Sequence, residues 1–167
     1  MTTDSAQSDF ELCRALLWPV LFASKLSHDR GSQQIEICDL ICGLYIAEPE
    51  RIARYWPEWE RLEELLYREC GMEEHRLVYW SEFLRNAVPD GRKSILGKLK
   101  VYSPQLAKVF ARAALFAKTR KTSKQIEITI PDLLLAVSRE RANKLCRKLV
   151  ACGLDLNLLR RSRKWAT

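Results

Sequence analysis

Leu21-Phe22-Ala23, a polar loop, and Ile35-Glu36-Ile37-Cys38-Asp39-Leu40-Ile41 make one half of a repeated phrase. The other half is Leu115-Phe116-Ala117, a polar loop, and Ile126-Glu127-Ile128-Thr129-Ile130-Pro131-Asp132-Leu133-Leu134. Self-similarity of this kind marks a supersecondary unit present twice, each copy needing the other to cover its apolar face.

Working outward, the residues before each phrase carry helical periodicity. Leu12, Leu16, Leu17, Val20, Leu21 and Ala23 line one broad face, and Asp9 stands where an N-cap would. In the second copy Ser103-Pro104 reads as an N-cap followed by proline at the first helical position. Leu106, Val109, Phe110, Ala113, Ala114 and Ala117 then recur at i, i+3, i+4 and i+7. A shift of 94 residues lays Asp9 on Ser103, Leu12 on Leu106, Leu16 on Phe110, Leu21 on Leu115 and Ala23 on Ala117. Pro19 then falls on Ala113, and proline there predicts a kink. Past the loop the shift becomes 93, laying Asp39 on Asp132, so the two loops are expected to differ by one residue.

The second helix of each copy is expected to open near Cys38 and Pro131, with Asp39 and Asp132 in the first turn. A carboxylate there meets the positive end of the helix dipole. Thr129 and Asp132 have capping-box spacing. A third helix follows in each copy, pairing Glu50-Arg51 with Glu140-Arg141. Cys152-Gly153-Leu154-Asp155 reads as a glycine stop and a new cap before a last short helix holding Leu158 and Leu159. Between the copies, residues 58–88 predict one or two helices with Trp59, Leu62, Leu65, Leu66, Leu77, Trp80, Phe83 and Leu84. Val88-Pro89-Asp90-Gly91 is a turn, and residues 91–102 form a basic connector.

With 167 residues the chain can bury one good core or two half-domains sharing one. Its longest apolar run, Ala15 to Ala23, is far short of the roughly 20 residues that span a bilayer. The polar first ten residues do not read as a signal peptide, so a cytoplasmic location is expected. Six cysteines, at positions 13, 38, 42, 70, 146 and 152, are then expected as reduced thiols. Charge is divided: residues 1–83 hold 8 Lys/Arg and 16 Asp/Glu, whereas residues 84–167 hold 20 and 5. One half should repel acidic partners and the other attract them.

Catalytic signatures are weak. His28 and His75 are the only histidines and share no motif with a nucleophile. Gly91-Arg92-Lys93-Ser94-Ile95-Leu96-Gly97-Lys98 spaces its glycines one residue too far apart for a phosphate loop and lacks the hydroxyl after lysine. Cys38 and Cys42 have the i, i+4 spacing of two metal ligands, but apolar packing is the more frequent fate of free cysteine. The expectation is a non-enzyme without metal or cofactor.

The second copy resembles the Clp repeat, the helical unit that occurs twice in the N-terminal domain of Clp-type AAA+ unfoldases. Tyr102-Ser103-Pro104-Gln105-Leu106-Ala107-Lys108-Val109-Phe110-Ala111-Arg112-Ala113 resembles that family's Tyr-Ser-Pro opening. Ile128-Thr129-Ile130-Pro131-Asp132-Leu133-Leu134-Leu135-Ala136-Val137 resembles its Ile-Gly-Thr-Glu-His-Leu-Leu-Leu-Ala-Leu segment. Leu149-Val150-Ala151-Cys152-Gly153-Leu154-Asp155 resembles its closing Leu-Gly-Val-Asp.

The resemblance implies an all-α fold of about eight helices in two pseudo-twofold-related repeats, with extra helices inserted between them. It divides a single domain into repeat one (9–57), inserted helices and connector (58–101), repeat two (102–163) and a tail (164–167). It implies a protein- or peptide-binding module that recognises substrates or docks adaptors. Its partners would be a Clp-type AAA+ unfoldase, a protease subunit, a substrate protein or a secretion-system protein, with no membrane. The family's glutamate, which binds phosphorylated arginine in some members, is replaced here by Cys38 and Pro131, with Asp39 and Asp132 one position later. Glu36, Asp39, Glu127 and Asp132 are the candidate polar recognition residues, and stabilisation of a helix start is the plainer role for the two aspartates.

The alternative reading is a small basic nucleic-acid-binding protein. Lys118, Arg120, Lys121 and Lys124 cluster in one loop, and Arg160, Arg161, Arg163 and Lys164 precede Trp165. Such clusters neutralise phosphates, yet they equally form a dock for an acidic protein partner. Trp56, Trp59 and Trp80 are expected in the core, and any that is exposed would mark a partner groove.

Overall fold

Ser103 and Pro104 open a helix as their chemistry requires. The Ser103 hydroxyl accepts the Leu106 backbone N–H at 3.2 Å, and proline sits where no donor is needed. The computed structural model describes residues 11–72, 101–120 and 126–165. Asp9, His75, Leu77, Trp80, Phe83, Leu84, the turn at 88–91, the connector up to 100, Lys121 and Lys124 lie outside the described residues.

The protein is all-α, with eight helices among the described residues. Copy one contains α1 (Arg14–Asp29), α2 (Ile37–Ala47) and α3 (Pro49–Tyr55), followed by α4 (Trp59–Cys70). Copy two contains α5 (Pro104–Lys118), α6 (Ile130–Arg139), α7 (Lys144–Ala151) and α8 (Leu156–Trp165). Four two-residue strands stitch the copies together: β1 (Glu11–Leu12), β2 (Gln34–Ile35), β3 (Val101–Tyr102) and β4 (Glu127–Ile128).

The stitching is reciprocal. β1 of copy one runs parallel to β4 of copy two, and β2 of copy one runs parallel to β3 of copy two. The Cys13 N–H donates to the Ile128 carbonyl at 2.9 Å, and the Ser103 N–H donates to the Ile35 carbonyl at the same distance. Each copy therefore lends its leading strand to the other, which is the pseudo-twofold arrangement expected of a duplicated unit. These bridges also explain why α1 opens with Cys13 as its N-cap: residues 11 and 12, read from periodicity as helix, are held extended by β4.

The superposition differs from the sequence expectation. Helix starts, caps and leading strands match at a shift of 90, not 94, pairing Cys13 with Ser103 and Leu16 with Leu106. Leu21 is buried whereas Leu115 is 60% exposed, so the two Leu-Phe-Ala triplets are not equivalent. Four residues are one helical turn plus about 40°, so a slip of that size leaves the apolar stripe almost where it was. Pro19 is matched with Val109, and α1 continues through it. The later shift of 93 holds, pairing Asp39 with Asp132, and the loop in copy two is three residues longer, where the registers read from sequence made it one residue shorter. Ile35-Glu36-Ile37 is matched with Ile128-Thr129-Ile130, which places Glu36 opposite Thr129 and removes Glu127 from that correspondence. Glu50-Arg51 opens α3, while Glu140-Arg141 lies in the connection before α7, so that pairing does not hold either.

Core packing follows the 90/93 registers. Leu16, Val20 and Ala23 of α1 and Leu106, Phe110 and Ala113 of α5 are buried, as are Leu40, Ile41 and Leu44 of α2 and Leu133, Leu134 and Val137 of α6. α1 and α2 approach closely because Gly43 faces Pro19 and Ala23: a Cβ at Gly43 would overlap the Pro19 carbonyl and stand 3.1 Å from the Ala23 nitrogen. Trp56 is fully buried, and its indole N–H donates to the Leu149 carbonyl at 3.0 Å. The Asp155 N–H donates to the Tyr55 carbonyl at 2.8 Å. Both bonds fasten the end of α3 to the corner between α7 and α8, where Gly153 turns the chain at φ +95° and the Asp155 carboxylate accepts the Leu158 N–H at 2.9 Å. No helix among the described residues is long and apolar enough to cross a membrane.

Candidate functional site

Each copy plants a buried aspartate in the first turn of its second helix. Asp39 accepts the Glu36 N–H at 2.9 Å, and Asp132 accepts the Thr129 N–H at 3.1 Å, each in a capping-box arrangement. The arginine that closes each preceding helix folds onto this carboxylate: Arg30 reaches Asp39 at 2.7 Å, and Arg120 reaches Asp132 at 2.7 Å. Arg30 and Arg120 are equivalent at the shift of 90. That equivalence was hidden by the one-turn slip, so neither had a visible partner in the sequence. Copy two adds Arg163 of α8, whose Nε donates to the other oxygen of Asp132 at 3.0 Å. Arg163 also donates to the Phe116 carbonyl at 2.6 Å and lies 4.9 Å over the Phe116 ring.

These contacts define what the candidate residues do. Asp39 and Asp132 are buried; Asp39 Oδ2 accepts the Glu36 N–H and the Arg30 guanidinium, and both Asp132 oxygens are engaged, Oδ2 by the Thr129 N–H and Arg120 and Oδ1 by Arg163. Glu36 and Glu127 are exposed, as is Lys118. Arg120 is pinned: the Nη2 that reaches Asp132 also donates to the Glu127 carbonyl at 2.7 Å, and Nη1 donates to the Thr129 hydroxyl at 2.8 Å. Burial pushes the Asp39 carboxyl above the usual carboxylate range, against the lowering effects of the Glu36 N–H and of Arg30.

A concave feature lies beside the second of these arginine–aspartate nodes, that of Asp132. A cleft of about 670 Å³ runs between α3, α8 and the start of α6. Tyr55, Ile130, Pro131 and Leu158 give it an apolar lining, with Thr129, Ser162 and Cys13 at its polar edge. Arg51, Arg54 and Arg161 complete it. Copy one supplies α3 and Cys13 and copy two the rest, so the cleft exists only because the copies are docked. Pro131, beside the buried Asp132, lines it.

Two further features have clear roles or boundaries. Cys70, the last residue of α4, hydrogen-bonds the thiols of Cys38 and Cys42, and Arg30 approaches the Cys38 sulfur at 3.3 Å. The Cys70 hydrogen bond and burial push the Cys38 thiol far up, so it stays protonated. No group of three or more His, Cys, Asp or Glu among the described residues is arranged to hold a metal ion. Trp59, expected in the core, is 42% exposed and edges a smaller groove with Tyr45, Pro49, Ile52, Ala53 and Leu62.

Comparison with protein-family models, with curated proteins and with solved structures finds no match to this chain.

Proposed function

We propose that the chain is a non-catalytic protein- or peptide-binding module of the Clp N-domain type, working in the cytoplasm. It would serve as adaptor, substrate-recognition or partner-docking unit for a Clp-type chaperone, protease or secretion machine. The observation that carries this reading is the cleft between the copies. Its walls come from three helices fastened by Trp56, Asp155 and Arg163, and its lining mixes apolar and cationic groups as recognition pockets do. The reciprocal strand pairing supports the duplicated architecture on which the resemblance rests.

The test is retention on the immobilised chain, read by mass spectrometry. A Clp-type unfoldase, protease subunit or secretion-machine protein should be held by the wild type and lost with Ser162→Trp, which fills the cleft from its edge. Failure to retain any such protein would remove the reading. The nucleic-acid alternative draws on the loop and tail cations, yet Arg120 and Arg163 are spent on Asp132. It predicts duplex affinity that falls steeply with the logarithm of salt concentration.

A further inference from the structure

We propose that the cleft is a receptor for an acidic peptide segment of a partner protein, its carboxylates held by Arg54, Arg161 and Arg51 around an apolar side chain. This rests on the protein-binding reading and specifies the chemistry of the occupant.

The argument starts from charge. Arg51 and Arg54, three apart on α3, present one face, and Arg161 of α8 supplies a third guanidinium to the same cleft. Arg51 pairs with Glu48 at 3.1 Å, an exposed i, i+3 contact of little strength. No carboxylate among the described residues pairs with Arg54 or Arg161, and no aspartate or glutamate lines the cleft. Burial raises the Cys13 thiol, and the charge of nearby Glu127 adds to that rise, but Glu127 is not a lining residue. The start of α6 adds the positive end of a helix dipole at Ile130 and Pro131.

The guanidinium is the side chain best shaped for a carboxylate, because its fork makes two parallel hydrogen bonds. Between the forks the floor is apolar. An occupant must therefore offer carboxylates flanking a hydrophobic residue, which describes an acidic peptide and not a bare anion. A nucleic acid fits less well, since binding single strands calls for exposed aromatic faces on which bases stack. Among the described residues that line the cleft the one aromatic, Tyr55, is itself buried.

The experiment is fluorescence anisotropy on the full chain with three fluorescein-labelled peptides of alternating composition, Glu-Leu, Gln-Leu and Lys-Leu. The Glu-Leu peptide should bind best and lose affinity as salt is raised. Replacing each of Arg54 and Arg161 by glutamine should weaken it by about tenfold or more, the loss of a charge-assisted hydrogen bond. Circular dichroism checks the fold of the variants, and Ser162→Trp, which alters no charge, should also abolish binding. The inference is overturned if the Gln-Leu peptide binds as tightly as Glu-Leu, if the Arg54→Gln/Arg161→Gln variant keeps wild-type affinity, or if Glu-Leu does not bind. A single-stranded oligonucleotide that binds more tightly than Glu-Leu and is lost with the same variant would also overturn it. The docking reading is judged separately by the retention experiment: a retained machine protein together with indifference to peptide charge sinks this inference alone.

Discussion

The two copies solve the same problem with different margins. In each, an arginine at the end of the first helix turns back to neutralise an aspartate at the start of the second. In copy one a single guanidinium among the described residues reaches Asp39, and Arg30 remains 34% exposed. In copy two Asp132 faces two guanidinium groups, Arg120 and Arg163, exposed by only 13% and 17%. The extra arginine comes from α8, so the second node also fastens the wall of the cleft. Among the described residues no second arginine reaches Asp39, and the Cys38 sulfur takes Arg30's other nitrogen. The same arginine–aspartate pair is thus local structure on one side and part of the tertiary structure on the other.

The largest effect should come from removing the better-buried acid. Asp132→Ala leaves two guanidinium groups uncompensated and should lower the unfolding free energy by about 3–5 kcal/mol. Asp39→Ala, losing a cap and one half-exposed partner, should cost about 1–3 kcal/mol. Urea denaturation of both variants measures the gap, and equal losses would break the comparison.

A second asymmetry lies at the helix crossing. Gly43 is matched with Ala136, so α1 and α2 meet more closely than the copy-two helices need to. Gly43→Ala should cost about 1–3 kcal/mol, because its new methyl group meets backbone that cannot swing aside. Ala136→Gly should cost only about 1 kcal/mol, the helix penalty of glycine. Thermal unfolding that leaves Gly43→Ala unchanged would show that the close approach is dispensable.

The smallest effect concerns pH. Burial raises the Asp39 carboxyl in the folded state above its unfolded value. Its contribution is therefore full below the unfolded pKa and is lost as pH rises through the folded one. The stability of the wild type relative to Asp39→Asn should accordingly decline between acid and neutral pH. Urea titrations of both proteins across that range check the sign, and a wild-type advantage that grows with pH would contradict it.

Much of the fold was legible because it follows from periodicity. The helix beginning at Ser103-Pro104, the second helices with Asp39 and Asp132 in the first turn, the stop at Gly153 and the cap at Asp155 all stand where side-chain chemistry put them. Register was not legible. The Leu-Phe-Ala match was displaced by four residues, one helical turn, and the Ile-Glu-Ile match by two, one strand repeat. Both slips keep apolar residues on the apolar face, so pattern alone could not see them. The correct shift became visible only through strand pairing and the burial of Leu21 against the exposure of Leu115. With it came the equivalence of Arg30 and Arg120.

The candidate site was harder still. Glu36, Asp39, Glu127 and Asp132 were chosen for position along helix starts, and the structure shows the aspartates turned inward. Arg51 and Arg54 carried no signal beyond their share of the charge, and Arg161, legible only as part of the basic cluster before Trp165, lies far from them in the chain. The cleft they line is made by docking α3 of one copy against α6 and α8 of the other.

What the sequence by itself determined was the duplicated all-helical unit, its caps and its division of charge, since these depend on neighbours within a few residues. Tertiary structure alone decided the register between copies, which aspartate gained a second arginine, and where Arg51, Arg54 and Arg161 gather. Those depend on contacts between residues far apart in the chain, and no local preference encodes them.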